Sequence, residues 1–452
     1  MTIQTNLLFD TLCTDLCASY VRRETRFYHV DHPTEPLSRR DIEQAFIATL
    51  GTRYPVEQVT QPLLKQVFDI GIERKHSDRN RSVPVWGGSM ACHPGNPNRV
   101  IWKSNGTVSL NTWKSPTYRG LGITEATYGP FEEFFNWVFP REEERTRILD
   151  WLAYCLQHED QKPAWALLLY SKEKGTGKST FCDLARNLFG ADNTATQNNV
   201  DKLTSRFNNF AFTNRLVISE ELSLRPDSNQ SNALKTYITD KVVATERKGR
   251  EAEQTPLVSC FLFTTNHLPT FLEQGERRYY IVNTGHAGYA SGPRAGEFST
   301  LVGQIVAAMR EPAQIAYLYN ALMARTLSDS FDGQTLNTEL HGTPLMKQLQ
   351  GAAAHTNIEQ LQEFLDAKKY LIVTQTEVAD FVASTFRNSA NATRHLMMEL
   401  GWTHCNVKWG GADYARVLWA KPGHSVADGN IYNSNGLVAA VCDYLPATVV
   451  IN

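Results

Sequence analysis

The sequence lacks long apolar runs and any marked excess of one charge. No stretch stays apolar long enough to span a bilayer, and the start MTIQTNLLFD has neither the basic region nor the apolar core of a secretory leader. The 45 Lys and Arg residues against 47 Asp and Glu leave a net charge of −2, so overall basicity provides no argument for nucleic-acid binding. We therefore expect a cytoplasmic protein with no membrane partner.

Cysteine is also sparse. The eight cysteines are scattered, and only Cys13 and Cys17 are close enough in sequence for joint chemistry. A single CxxxC pair without a second pair is usually two packed thiols, so we predict neither a zinc site nor a disulfide there. With 452 residues, 42% of them hydrophobic and 20% charged, the chain is long enough for two to four globular domains.

Hydrophobic patterning divides the chain into five parts. Ser38 precedes a helical pattern, and Asn105-Gly106 lies at the centre of a predicted hairpin. Pro140 separates two helical patterns between residues 131 and 157. The predicted parts are a small mixed α/β domain (1–120), a helical collar (121–163), a core (164–327), a linker (328–357) and a last domain (358–452).

The predicted core contains three apolar runs typical of strands buried on both faces. These runs cover residues 164–170, 216–219 and 259–265, and helical patterns lie between them, with a further one over 305–323. The pattern predicts an α/β fold built on a sheet.

A glycine-rich segment follows the first of these strands and precedes a helical pattern over 181–189, which is the setting of a phosphate-binding loop. Its backbone N–H groups are expected to surround a β-phosphate, with the Lys178 ammonium on the β and γ oxygens and the Ser179 hydroxyl on Mg²⁺. Lys172 stands where the usual pattern has its first glycine. The predicted loop residues are Lys174, Gly175, Thr176, Gly177, Lys178, Ser179 and Thr180.

Two carboxylates follow the second strand. We predict that Glu220 holds the metal and that Glu221 polarises the attacking water as a general base. The alternative is a solvated acidic helix start capped by Ser219.

A neutral amide follows the third strand, and two arginines come soon after it. Asn266 could hydrogen-bond a γ-phosphate or the lytic water, although Thr-Asn after a strand is also an ordinary turn signal. Arg277 and Arg278 could stabilise transferred charge, most naturally in a neighbouring subunit. The alternative is a structural pair between an arginine and Glu276.

A cluster of basic residues lies between the acidic pair and Asn266. Residues 242–245 are predicted to form a strand and Gly249 a turn, which would place Arg247, Lys248 and Arg250 at one hairpin tip. Such a tip suits contact with the phosphates of a nucleic-acid strand inside a channel, although a solvated loop is the simpler alternative for the charges alone.

The motif order GTGKST, ISEEL, LKTYITDKVVATERKG, FLFTTN and ERR resembles the A, B, B′ and C motifs of superfamily 3 helicases. More narrowly, it resembles the phage and plasmid primase-helicase group, including the helicase portion of phage primase-polymerases, over about residues 131–285. Asp240 stands where related sequences often have glycine.

The resemblance implies an AAA+-like P-loop ATPase core and an ATP- and Mg²⁺-dependent ring of six subunits. Such a ring would translocate on single-stranded DNA during phage, plasmid or mobile-element replication, in the cytoplasm of a bacterial host cell. Lys178, Glu221 and Asn266 would then be catalytic, with Arg277 or Arg278 as the arginine acting in trans and Lys248 on DNA. Because the N-terminal region shows no paired-acid polymerase motif, we expect a separate primase or polymerase.

The last domain has the order strand (370–373), helix (376–386), helix (392–400) and hairpin around Gly410-Gly411. This order resembles a winged helix. Its candidate DNA contacts are Arg394, His395, Lys408 and Arg416. Protein contacts are an equal alternative.

Two other functions remain open on the sequence alone. One is a replication initiator or loader that uses ATP as a switch and binds duplex DNA through residues 370–420. The other is a small-molecule phosphotransferase, which would need an acceptor pocket and no subunit-bridging arginine.

Overall fold

A computed structural model describes most of the chain. The described residues are 3–55, 57–73, 81–205, 213–224, 228–245, 253–269, 271–272, 275–285, 289–368, 370–386, 390–410 and 414–445. The chain divides into two compact units, one comprising 1–271 with 275–346 and the other comprising 272–274 with 347–452. None of the helices in the described ranges has the length and apolar character needed to cross a membrane.

The N-terminal part combines helices with a small antiparallel sheet. The helices are Ile3–Ser19, Arg39–Leu50 and Gln61–Gly71, and the strands are β1 (Tyr20–Arg23), β2 (Arg26–His29) and β3 (His32–Leu37). Ser38 Oγ accepts from the Asp41 N–H at 3.3 Å, and Asp41 Oδ2 accepts from the Ser38 N–H at 2.8 Å. This capping box confirms the predicted helix start. Cys13 and Cys17 are buried, and burial raises the pKa of the Cys13 thiol to about 11.

A second small sheet contains the predicted hairpin. Its strands are β4 (Trp86–Ala91), β5 (Val100–Trp102) and β6 (Val108–Asn111), in the order β4-β6-β5. β5 and β6 are antiparallel around Asn105-Gly106, where Gly106 has a φ of +78°. The hairpin prediction is therefore confirmed, whereas the parallel pairing of β4 with β6 had no local sequence signal.

Two helices precede the central sheet. They cover Pro130–Val138 and Glu142–Gln157, and Pro140 lies between them as the sequence predicts. Both helices contribute large apolar side chains to the interior, among them Phe131, Phe134 and Trp151.

The central sheet has five parallel strands in the order β13-β7-β12-β9-β8. The strands are β7 (Ala166–Tyr170), β8 (Thr194–Thr196), β9 (Leu216–Ser219), β12 (Cys260–Thr265) and β13 (Tyr279–Asn283). A separate antiparallel pair, β10 (Val242–Thr245) and β11 (Glu253–Pro256), lies between β9 and β12 in sequence. The three predicted core strands are confirmed as β7, β9 and β12. The flanking strands β8 and β13 were not predicted.

The helices around this sheet correct the sequence reading in two places. The predicted single helical pattern over 305–323 is two helices, Ala295–Met309 and Pro312–Ala324, because Pro312 has no N–H to continue a helix but suits the first helical position. The predicted linker, residues 328–357, contains the helix Thr338–His341 and the beginning of the helix Pro344–Lys368. Part of this segment is also tied to β13, since Thr343 Oγ1 donates to the Ile281 carbonyl at 2.6 Å.

The second unit contains the predicted order of elements, with shifted hairpin bounds. It has strand β14 (Ile372–Thr374), helices Gln375–Phe386 and Ala390–Glu399, and strands β15 (Thr403–Val407) and β16 (Arg416–Ala420). These strands form an antiparallel sheet in the order β14-β16-β15. Three more strands, β17 (Ser425–Ala427), β18 (Asn430–Asn433) and β19 (Gly436–Ala440), form an additional antiparallel sheet that was not predicted. The winged-helix assignment stays a prediction.

Tryptophan side chains stabilise the interior of this second unit. Trp402 and Trp419 belong to one buried cluster and Trp409 to another. Trp419 Nε1 donates to Gln375 Oε1 at 2.6 Å, which satisfies its buried N–H.

Candidate functional site

The glycine-rich segment connects β7 to the helix Lys178–Phe189, so the N-terminus of a 12-residue helix opens at the carboxyl edge of the parallel sheet. Gly175 and Gly177 both have left-handed backbone conformations, with φ of +76° and +85°. A Cβ atom on Gly177 would lie 2.8 Å from Val138 Cγ2, so only glycine fits this position. The exposed N–H groups of such a helix start favour an anion.

Lys178 is the first residue of this helix, and its side chain is buried. Its ammonium donates to Asn266 Oδ1 at 2.8 Å and, at 3.4 Å each, to the Glu173 carbonyl and Thr176 Oγ1. Burial lowers the pKa of Lys178 below its usual value. All three acceptors are neutral, and within the described residues Lys178 forms no ion pair with a carboxylate. A buried cation with only neutral acceptors fits a phosphate group.

Oxygen atoms suited to a divalent cation meet beside this lysine. Ser179 Oγ donates to Glu220 Oε2 at 2.9 Å, and the Glu220 N–H donates to Asn198 Oδ1 at 2.9 Å. Glu221 is exposed and has a φ of +61°, a conformation that is uncommon for a residue with a side chain. A hydroxyl and a carboxylate at this separation are the donor types that Mg²⁺ takes in proteins. The residues present therefore fit the predicted metal.

These residues line one cleft of about 320 Å³, a volume at the lower end of small-molecule sites. The structure thus brings together every predicted loop residue, both carboxylates and Asn266. The lining comprises Lys174, Gly175, Thr176, Gly177, Lys178, Ser179, Thr180, Glu220, Glu221, Thr264, Thr265, Asn266 and Val302. Their convergence follows from the sheet, because β7, β9 and β12 are parallel and end at the same edge.

The two arginines lie at the opposite edge of the sheet. Tyr279 pairs with Ala166, and the Ala166 N–H donates to the Arg278 carbonyl at 2.8 Å, so Arg277 and Arg278 come before β13 at its amino end. A five-residue strand is about 16 Å long, which separates them from the cleft in their own chain.

The two arginines also differ in their contacts. The Arg278 N–H and Nη1 both donate to Glu276 Oε1 at 3.0 Å, which is the arginine–glutamate pair that the sequence left open as an alternative. Arg277 is exposed.

The predicted nucleic-acid contacts are only partly within the described residues. β10 and β11 pair from Val242↔Pro256 to Thr245↔Glu253, which confirms the strand before the basic cluster. Arg247, Lys248 and Arg250 lie outside the described residues.

Two of the four C-terminal candidates have polar contacts in the described structure. Arg394 and Lys408 are exposed, and His395 Nε2 lies 3.8 Å from Glu399. The Arg416 guanidinium stacks over the Trp409 ring, 3.6 Å from its centroid, and donates to the Trp409 carbonyl at 2.8 Å. Arg416 therefore already stabilises the packing of Trp409.

Sequence reasoning missed several residues around the cleft. Asn198 Oδ1 accepts from the Glu220 backbone N–H, Thr284 Oγ1 lies 3.0 Å from Thr176 Oγ1, and Val302 lines the cleft from a helix more than a hundred residues away in sequence. None of the three had a sufficient local signal, since even Asn198 follows a strand of only three residues, β8.

The fold and site define a class: an α/β protein whose five-stranded parallel sheet has a glycine-containing loop and a helix N-terminus at its carboxyl edge. A family model described as "Family of unknown function (DUF5906)" matches residues 169–278, from β7 to the residue before β13. No curated protein matches the chain.

Solved structures of similar shape exist. The apo structure of the NrS-1 C-terminal region (305-718) is 13% identical with a TM-score of 0.53, covering 93% of this chain and 100% of that one. The A form apo structure of the NrS-1 C-terminal region is 14% identical with a TM-score of 0.52, covering 87% and 93%. At these identities the likeness shows a shared fold alone. The JCV helicase, with 13% identity, a TM-score of 0.29 and coverage of 50% and 60%, is too distant in structure to support an inference.

Proposed function

We propose that this chain is an ATP-dependent DNA helicase of the superfamily 3 type, acting as a hexameric ring on single-stranded DNA during replication. The observation that carries the proposal is the cleft itself, where the buried Lys178 ammonium, the Ser179–Glu220 pair and Asn266 meet at a helix N-terminus. The order of the motifs along the sequence supports the helicase type, and the fold shared with the NrS-1 C-terminal region is consistent with it.

Each residue of the cleft has a role in this proposal. The loop N–H groups and Lys178 bind the phosphates of ATP, and Ser179 and Glu220 hold Mg²⁺, which would neutralise phosphate charge. Glu221 orients and deprotonates the attacking water. Asn266 now accepts from Lys178, so when the lysine turns to a phosphate the Asn266 side chain is released to hydrogen-bond the γ-phosphate or that water.

The position of the arginines supports a ring. Arg277 and Arg278 lie at the amino edge of the sheet, whereas the cleft lies at the carboxyl edge. An arginine of one subunit can therefore stabilise transferred charge only in the cleft of a neighbour.

The DNA contact is assigned to the paired strands β10 and β11. Residues 246–252 join these strands and include Arg247, Lys248 and Arg250. In a ring, three cations in this segment would bind the phosphates of a single strand in the central channel. Arg394 and Lys408 are proposed as secondary contacts.

The test uses the variant Lys178→Ala with Lys65→Ala, an exposed lysine of the N-terminal part, as the matched control. ATPase activity and strand displacement are measured with and without single-stranded DNA. We expect Lys178→Ala to lose both activities and Lys65→Ala to keep both.

Other outcomes would point to the other functions. Wild-type ATPase without unwinding, together with tight duplex binding, would contradict the helicase and favour the initiator or loader. A monomer with full activity after Arg277→Ala and Arg278→Ala would favour the phosphotransferase.

A further inference from the structure

A buried carboxylate lies between the arginine segment and the helix that leads into the β10–β11 pair. Glu276 Oε1 accepts from the Arg278 N–H and from Arg278 Nη1, both at 3.0 Å. Glu276 Oε2 lies 3.6 Å from Lys235 Nζ, and only 1% of the Glu276 side chain is exposed. One buried anion is thus shared by two cations, and the arginine is the closer one.

Lys235 is in the helix Asn229–Thr239, which ends just before β10. A second buried lysine holds the same helix end, because Lys162 Nζ donates to the carbonyls of Tyr237 and Ile238, the latter at 2.9 Å. The Lys162 side chain therefore holds the end of this helix, and Lys235 connects the same helix to Glu276.

The other side of Glu276 is fixed to the central sheet. The Arg278 carbonyl accepts from the Ala166 N–H at 2.8 Å, and Ala166 begins β7, the strand that leads into the glycine-rich loop. Glu276 thus connects the base of the β10–β11 pair with the arginine segment and with β7.

We propose that Glu276 is a positioning residue that couples the arginine segment to the DNA-contacting strands, with Arg278 as its anchor and Arg277 as the arginine that enters the neighbouring cleft. The proposal rests on the proposed function. Arg277 is exposed and forms no ion pair with any residue that the structure describes, whereas Arg278 is engaged by Glu276.

The physical reason is the cost of leaving a buried charge without a partner. If Arg277 is drawn towards a phosphate of the neighbour, the adjacent Arg278 N–H turns with it, while the Arg278 carbonyl stays bound to the Ala166 N–H. The Glu276 carboxylate must then either follow Arg278 or move closer to Lys235. Each response changes the attraction between Glu276 and Lys235, and so it acts on the helix that ends before β10. The unequal contacts of Glu276, 3.0 Å and 3.6 Å, leave room for these two arrangements.

The test removes the contact between Lys235 and Glu276. In Lys235→Met, the basal ATPase rate should stay within about twofold of wild type, because the residue lies outside the cleft. The ratio of the DNA-stimulated to the basal rate should fall by roughly 3- to 10-fold. Lys235→Arg should restore the ratio, since it restores the cation, and Lys65→Met should leave the ratio unchanged.

If Lys235→Met keeps the wild-type ratio of DNA-stimulated to basal ATPase rate, the coupling is overturned. An equal fall of both rates would also overturn it, because that result would mean that Lys235 has a purely structural role. If Lys235→Met does not fold, Glu276→Asp keeps the charge but shortens the side chain. Glu276→Asp is then expected to lower the ratio of DNA-stimulated to basal ATPase rate, and an unchanged ratio overturns the proposal. A wild-type protein whose ATPase does not respond to single-stranded DNA would instead contradict the proposed function itself.

Discussion

Alanine at Gly177 should destabilise the protein more than alanine at Gly175, although both glycines belong to one loop. Both residues have left-handed backbone conformations, where a side chain costs about 1–2 kcal/mol. At Gly175 a Cβ atom would meet nothing within 4 Å, so we expect only this cost. At Gly177 the Cβ would lie 2.8 Å from Val138 Cγ2 and 3.2 Å from Phe298 Cζ, which adds an overpacking cost of about 1–3 kcal/mol.

The difference between the two variants therefore isolates the packing of the loop against neighbouring helices. We expect Gly177→Ala to lower the free energy of unfolding by about 1–3 kcal/mol more than Gly175→Ala does. The assay is urea denaturation of the nucleotide-free protein, followed by the fluorescence of its buried tryptophans. Equal destabilisation by the two variants would refute the reasoning, because the contacts of the new Cβ with Val138 and Phe298 would then have no free-energy cost.

Three further predictions concern the cap, the carboxylate and a buried lysine. Ser38→Ala should lower the free energy of unfolding, measured by urea denaturation, by about 1 kcal/mol. Thr60 begins a helix without a side-chain cap bond, so Thr60→Ala should lower it much less, and equal losses would contradict the capping argument. Asn198→Ala should raise the Mg²⁺ concentration needed for half-maximal ATPase, because the Glu220 backbone loses the hydrogen bond that holds it beside Ser179, and an unchanged requirement would count against that role. Burial lowers the pKa of Lys162 from 10.5 to about 7, so above that pH the unfolded chain binds a proton that the folded chain does not. The stability of wild type relative to Lys162→Met should therefore rise between about pH 7 and about pH 10, and a flat difference would contradict the shift.

Local interactions explain where sequence reasoning was right. The Ser38 cap, the hairpin at Asn105-Gly106 and the break at Pro140 each depend on contacts within a few residues, so the sequence pattern specifies them. Strand β13 shows the limit of this reasoning. Its apolar run is as long as that of β9, but its place in the sheet is set by pairing with β7, in which Tyr279 pairs with Ala166, more than a hundred residues earlier.

The cleft was predictable for a related reason. Lys178, Glu220 and Asn266 each follow a strand recognisable from its own residues, and parallel strands end at one edge of a sheet. Asn198 was missed because its short strand, β8, has too few apolar residues to be recognised alone.

The sequence by itself determined the glycine-rich loop, its helix and the three central strands, because backbone conformation and hydrophobic periodicity are properties of neighbouring residues. Only the tertiary structure decided that Arg277 and Arg278 lie at the edge away from the cleft, and that Glu276 is shared between Arg278 and Lys235. The sheet order sets these placements, and it follows from the packing of the whole core, which no short segment contains.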